Sequence, residues 1–217
     1  MSTLKANAVT GSTTNNDLAL TGNGTGVVKI GDGAIKFPDA DGTANQMMTT
    51  NGSAQLAFVA QPTSGFTLGT EVDTTSGTDA LFSSIPSGTT MIVIMFEGVS
   101  LTANTALDLT LGDSGGLETS GYVGHETQFE NGTGPVQNES TAEFLMGIAA
   151  SANTIDGMCI LTLKDSTNFT WSCSFSAKMS ANQSAIASGT KSLSAELTQV
   201  NLGGGTFDAG SINIMYQ

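Results

Sequence analysis

Apolar and polar residues alternate with period two over most of the chain beyond residue 67, as expected of strands with one dry and one wet face. Leu107, Leu109 and Leu111 alternate with Asp108 and Thr110, and Trp171, Cys173 and Phe175 alternate with Ser172, Ser174 and Ser176. Ile212, Ile214 and Tyr216 alternate with Ser211, Asn213 and Met215. Two runs, Met91 to Phe96 and Met158 to Leu161, are apolar at every position, the pattern of central strands covered on both faces. Turn-marked spacing predicts eight or nine strands, near 80–85, 91–99, 106–111, 117–123, 142–149, 158–164, 169–178, 190–199 and 207–216. Helical periodicity is absent. The expected fold is all-β, a β-sandwich of jelly-roll type over residues 67–217, with Trp171 in its core.

Residues 1–66 read differently. Their apolar positions come in patches of two or three: Leu18 and Leu20, then Val27, Val28 and Ile30, then Ile35 and Phe37, Met47 and Met48, and Leu56 and Phe58. Between them stand the turn pairs Asp41-Gly42 and Asn51-Gly52. At ~25 cal/mol per Å² such patches bury too little to offset ~1 to 2 kcal/mol of backbone entropy per ordered residue. The segment is therefore expected to pair with other copies or to dock on something larger. Gln61-Pro62-Thr63-Ser64-Gly65 separates this stalk or anchor from the sandwich.

The order Phe37-Pro38-Asp39, Asp41-Gly42-Thr43, Asn45-Gln46, Met47-Met48, Thr49-Thr50, Gly52 and a strand carrying Leu56 and Phe58 resembles the N-terminal connector of bacteriophage tail-fibre and virion-appendage proteins. The run from Phe82 to Ser100, followed by Leu107 to Gly112 and Gly115 to Tyr122, is similar to their distal β-sandwich domains, although Thr89 and Thr90 stand where relatives often carry Lys or Arg. The resemblance implies a structural virion protein, a homotrimer, attached through Val27, Ile30, Ile35, Phe37, Met47, Met48, Leu56 and Phe58 and displaying the sandwich. It also implies assembly in the bacterial cytoplasm, with other virion proteins as partners. The sandwich would recognise a host-surface glycan. The alternative is a head-decoration or tail-adaptor protein that binds other virion proteins and no receptor.

Charge narrows the partners further. Charged residues make up 12% of the chain, half the usual share, and six lysines with no arginine face nineteen acids for a net charge of −13. Without arginine to fork onto phosphate or base edges, nucleic acid is excluded as a partner. The acidity disfavours anionic membrane surfaces, and the longest apolar run, six residues, is far short of the ~20 of a membrane helix. Met1 to Lys5 leads into polar sequence with no signal-peptide core.

Catalytic chemistry finds little support. Gly112 to Gly116 spells the letters around the nucleophile of trypsin-like proteases, but the sole histidine, His125, lies downstream and no partner motif accompanies it, so a glycine turn is expected. Asp39 and Asp41 lack the further ligands of a calcium loop. One histidine cannot build a zinc centre within one chain, so neither a metal nor another cofactor is expected and the protein is read as no enzyme. Cys159 and Cys173 fall on strands joined by a short turn, close enough in principle for a disulfide, but buried free thiols are the expectation. Recognition chemistry points to Gly121–Gly132, read as a long glycine-rich loop, where Tyr122, His125, Glu126, Gln128 and Phe129 offer stacking faces and hydrogen-bonding groups for sugar hydroxyls. The competing reading closes a core strand with Tyr122 and tucks Phe129 beneath the loop.

Overall fold

A computed structural model describes residues 29–30, 35–36, 38, 42–50, 53, 55–61, 65–149 and 153–217. The chain divides into two compact units, Met1–Thr63 and Ser64–Gln217. In the first, β1 (Lys29–Ile30) pairs with β2 (Ile35–Lys36), setting Ile30 opposite Ile35 in the ladder. A second hairpin pairs β3 (Gln46–Thr50) with β4 (Leu56–Ala60), Met47 opposite Val59 and Met48 opposite Phe58. The Phe58 ring lies so close to Gly42 that a Cβ there would sit 2.7 Å from it. Met47, Met48 and Val59 remain 40–45% exposed on this two-stranded element, which is marginal alone. Val27 and Phe37 fall outside the described residues.

The second unit is all-β. Its strands are β5 (Thr67–Leu68), β6 (Val72–Asp73), β7 (Ala80–Ser83), β8 (Met91–Leu101), β9 (Thr105–Asp113), β10 (Gly116–Leu117), β11 (Tyr122–Glu130), β12 (Val136–Glu139), β13 (Phe144–Ala149), β14 (Ile155–Asp165), β15 (Thr170–Lys178), β16 (Gln183–Ser192), β17 (Gln199–Gly203) and β18 (Phe207–Tyr216). A nine-stranded sheet runs β12-β11-β16-β15-β14-β8-β18-β5, with β6 also on β18; a five-stranded sheet runs β10-β9-β17-β7, with β13 also on β9. All pairings are antiparallel.

The two sheets face each other across one core. Ile92, Ile94, Cys159, Leu161, Trp171, Phe175, Ile212 and Ile214 of the large sheet join Phe82, Leu107, Leu109, Leu111, Phe144, Val200 and Leu202 of the small one. Trp171 is 2% exposed, in the core as its alternation requires. The Cys159 and Cys173 thiols are free and lie 3.5 Å apart. The hydrogen bond to Cys173, together with burial, pushes the Cys159 thiol well above its ordinary range.

The arrangement is sandwich-like but departs from the jelly-roll expectation. Strands β14, β15 and β16 form a meander inside one sheet, whereas a jelly roll is wound from two Greek keys. Short connections explain it, since hairpin turns leave sequential strands adjacent. In the β14–β15 turn Asp165 accepts the Thr167 N–H at 2.8 Å and the Asn168 side-chain amide at 2.8 Å, and Phe169 takes φ 47°. Strand β16 also begins earlier than alternation suggests, because its inward positions are Ala185, Ala187, Gly189 and Lys191, too small or too polar to read as a core stripe. Gly124 and Gly189 face each other in the ladder, and a Cβ on Gly189 would lie 2.9 Å from the Phe144 ring. Glycine here lets the small sheet pack directly on the backbone of the large one.

Candidate functional site

The segment Tyr122 to Glu130 is not a loop but strand β11, bonded along its whole length to β16. A strand sends successive side chains to opposite faces, so the five residues expected to converge are divided. Tyr122, Glu126 and Gln128 point to the inner side, and His125 and Phe129 to the outer.

Tyr122 is 1% exposed and belongs to the core, which removes it from any stacking platform. Its ring meets Phe144 edge-on at 4.8 Å, its hydroxyl accepts the Leu111 N–H at 2.7 Å, and it donates to the Glu118 carbonyl at 3.0 Å. Burial pushes the phenol above its ordinary range. The Lys191 ammonium lies 5.5 Å from the ring centre and donates to the Glu118 carboxylate and, at 2.6 Å, to the Ser192 carbonyl. Glu118 also accepts the Ser194 N–H at 2.7 Å. Burial opposes ionisation of Glu118, but Lys191 and Ser194 outweigh it and hold the carboxyl down at about 2. The Ser194 hydroxyl sits 2.7 Å from Glu118 and 2.8 Å from Asp113, donating to one at a time.

Asp113 belongs to the protease-like string, which forms the β9–β10 turn as expected. Its carboxylate accepts the Gly115 N–H at 2.7 Å, and Gly116 adopts φ 119°.

Glu126 is buried, accepts the Asn138 side-chain amide at 2.8 Å through one oxygen, and leaves the other without a partner among the described residues. Desolvation raises its pKa, only partly offset by the Asn138 amide. Gln128 is half-buried beside it. On the outer face, His125 Nδ1 lies 3.7 Å from the Glu139 carboxylate, and Phe129 is 44% exposed. A shallow groove of about 500 Å³ is lined by Tyr122, Val123, His125, Glu139, Ser140 and Thr141.

The feature that sequence reasoning missed lies further along the same outer face. One ladder row crosses the large sheet from Leu68 through Met215, Val93, Ile160, Ser174, Ser188 and His125 to Glu139. Its neighbour runs from Asn213 through Met95, Met158, Ser176, Ile186 and Thr127 to Gln137. Leu68 is 64% and Met158 48% exposed, and Met91, Met95, Ile160 and Met215 are half-buried. Val93 is buried, yet lies outside the core cluster, covered by neighbours on the outer side. The continuous apolar runs of β8 and β14 were the signal: one face belongs to the core, and the other is left to solvent.

Among the described residues, no three His, Cys, Asp or Glu side chains converge to hold a metal ion. No family model, curated protein or solved structure matches the chain.

Proposed function

We propose that the chain is a non-enzymatic structural component of a bacteriophage particle, whose sandwich binds another protein through the apolar half of its large sheet. The observation that carries this reading is the row Leu68, Met215, Val93, Ile160 with Met95 and Met158 beside it. A methionine-rich sheet face suits a protein surface, because Met is flexible and polarisable and packs against varied shapes. The N-terminal unit, with its exposed hairpin residues Met47, Met48 and Val59, is the trimer and attachment element that the connector resemblance implies. Phe58 lies against Gly42, and Leu56 is half-buried on the same strand.

A second reading, recognition of a host glycan, rests on His125, Phe129 and Glu139 at the polar end of the same face. Tyr122 no longer contributes to it.

Light scattering on the full chain tests the assembly and should return about three times 22.0 kDa. A monomer at micromolar concentration would overturn the trimer. Particles carrying Met95→Asp with Met158→Asp test the contact: loss of the folded protein from particles supports it, and normal incorporation contradicts it. For the second reading, His125→Ala with Phe129→Ala should reduce adsorption to cells without altering incorporation. Unchanged adsorption would leave the protein-contact reading alone.

A further inference from the structure

The hairpin tip joining β11 to β12 holds a reactive pair that the function above does not use. Asn131 and Gly132 follow Glu130, the last residue of β11, and every residue from 129 to 137 is exposed. A bond from the Thr133 N–H to the Glu130 carbonyl closes the turn at 3.3 Å, longer than the usual ~2.7–3.2 Å. Gly132 takes φ 89°, and a Cβ there would meet no atom within 4 Å. The Asn131 N–H is tied to the Asn182 carbonyl at 3.1 Å, but among the described residues nothing holds the Asn131 side-chain amide or the Gly132 N–H.

Glycine after asparagine matters because an imide ring closes only when the following backbone nitrogen reaches the side-chain carbonyl carbon. A side chain on that next residue obstructs the approach, and glycine has none. Asn131 is the one described asparagine with glycine next to it. The others precede residues with side chains, and several are also held. Asn138, half-buried, donates to Glu126 at 2.8 Å and precedes Glu139. Asn168 donates to Asp165 at 2.8 Å and precedes Phe169. Asn182 accepts the Ser180 hydroxyl at 3.0 Å and precedes Gln183. The fold therefore adds exposure and freedom at the described position where the sequence already favours ring closure.

We propose that Asn131 is a self-modifying site, which loses its side-chain amide to attack by the Gly132 backbone nitrogen and leaves a carboxylate at the hairpin tip. Hydroxide takes the Gly132 N–H proton, and the nitrogen bonds to Asn131 Cγ. The Cγ–Nδ2 bond then breaks, and ammonia leaves with a proton from water. Water adds to either carbonyl of the cyclic imide and opens it to aspartate or to isoaspartate, whose main chain runs through Cγ. One water is consumed and one ammonia released, with no change of oxidation state. The new charge stands beside Glu130 and Phe129, and isoaspartate lengthens the backbone where β11 turns into β12. Strand β12 carries Glu139 opposite His125, so the change falls on the polar end of the outer face and leaves the apolar half as it was.

Incubation of the folded full chain at pH 6 and pH 8, followed by digestion with a Glu-specific protease, tests this. Cuts after Glu130 and Glu139 release residues 131–139, which hold Asn131 and Asn138 in one peptide, and fragmentation spectra assign each. The same map separates them from Asn23-Gly24 and Asn51-Gly52, which fall outside the described residues. Conversion at Asn131 should run at least about tenfold faster than at Asn138, a barrier lower by about 1.4 kcal/mol. It should be faster at pH 8 than at pH 6, because the attacking nitrogen must first lose its proton. The product should appear as two peptides of equal mass, aspartate and isoaspartate, and Asn131→Gln, whose longer side chain closes the ring poorly, should abolish both. A parallel sample unfolded in urea supplies the rate of a free chain. A folded-state rate at Asn131 within about tenfold of that value supports the proposal, and stronger protection overturns it, because the turn then holds the pair out of reach. Equal conversion of Asn131 and Asn138 in the folded protein overturns it too.

Discussion

The two halves of the large sheet are built on opposite physical plans. Strands β5, β18, β8 and β14 carry apolar residues on both faces: Ile92, Ile94, Cys159, Leu161, Ile212 and Ile214 fill the core, while Leu68, Met95, Met158 and Met215 lie outward beside the polar Ser211 and Asn213. Strands β15, β16, β11 and β12 present Ser174, Ser188, His125 and Glu139 outward. The inner side of β16 and β11 is partly small and partly polar, with Gly189 and Gly124, the buried Lys191, and Glu126. Burial drives one half and gives it a surface that gains from being covered. Paired polar groups hold the other half, whose outer face sets Ser174, Ser188, His125 and Glu139 among the separately exposed Val123, Phe129 and Ile186.

The polar half should be the more fragile to single substitutions. Lys191→Met leaves the half-buried Glu118 without its cation and Tyr122 without its cover, and should cost about 1 to 3 kcal/mol in urea unfolding, since Glu118 keeps its Ser194 hydrogen bonds and some access to water. A loss under about 1 kcal/mol would place the pair with ordinary surface ion pairs. The same pair sets a pH signature. Glu118 titrates at about 2 in the fold against an ordinary 4.5, so its contribution is complete above the ordinary value and is lost as pH falls from there towards 2. Lys191→Met should weaken that acid-limb dependence, leaving the part that the Ser194 hydrogen bonds to Glu118 supply.

Tyr122→Phe deletes only the hydroxyl, orphaning the buried Leu111 N–H, and should cost about 1 to 3 kcal/mol. A null effect would mean that the hydroxyl network contributes nothing.

Glu126→Gln should act in the opposite direction. Burial raises the Glu126 pKa, so its ionisation penalises the folded state as pH rises above the ordinary carboxyl value. The neutral amide should therefore stabilise the protein by roughly 1 kcal/mol at pH 8, with the gain vanishing near pH 4. Thermal melting of both proteins across that range checks the sign.

The smallest effect belongs to the apolar half. Met158→Ser on the outer face should change the stability of the unassembled protein by about 0.5 kcal/mol or less, because its side chain is 48% exposed.

Much of this contrast was present in the sequence, but not all of it was readable. Strands with large residues at every second position, such as Trp171, Cys173 and Phe175 over the three serines, declared both their face and their burial. Strand β11 did not, because its inward positions Tyr122, Gly124, Glu126 and Gln128 carry one apolar side chain in four. Only the ladder to β16 makes the segment a strand, and that pairing joins residues about sixty apart in the chain. The Glu118–Lys191 pair was hidden for the same reason, its members being 73 residues apart in the chain. The methionine face was visible as composition but misassigned, since a run apolar at every position does not say whether its second face meets core or partner.

Methionine oxidation of assembled particles against the isolated, folded protein tests the central claim most directly. If the apolar half is a protein contact, Met95, Met158 and Met215 should oxidise at least about tenfold more slowly in the particle, following their loss of exposure. Buried Met146, 0% exposed, should stay slow in both and serves as the internal reference. Equal oxidation of Met158 in the particle and in the free protein would contradict the account, leaving the apolar half uncovered where the protein is assembled.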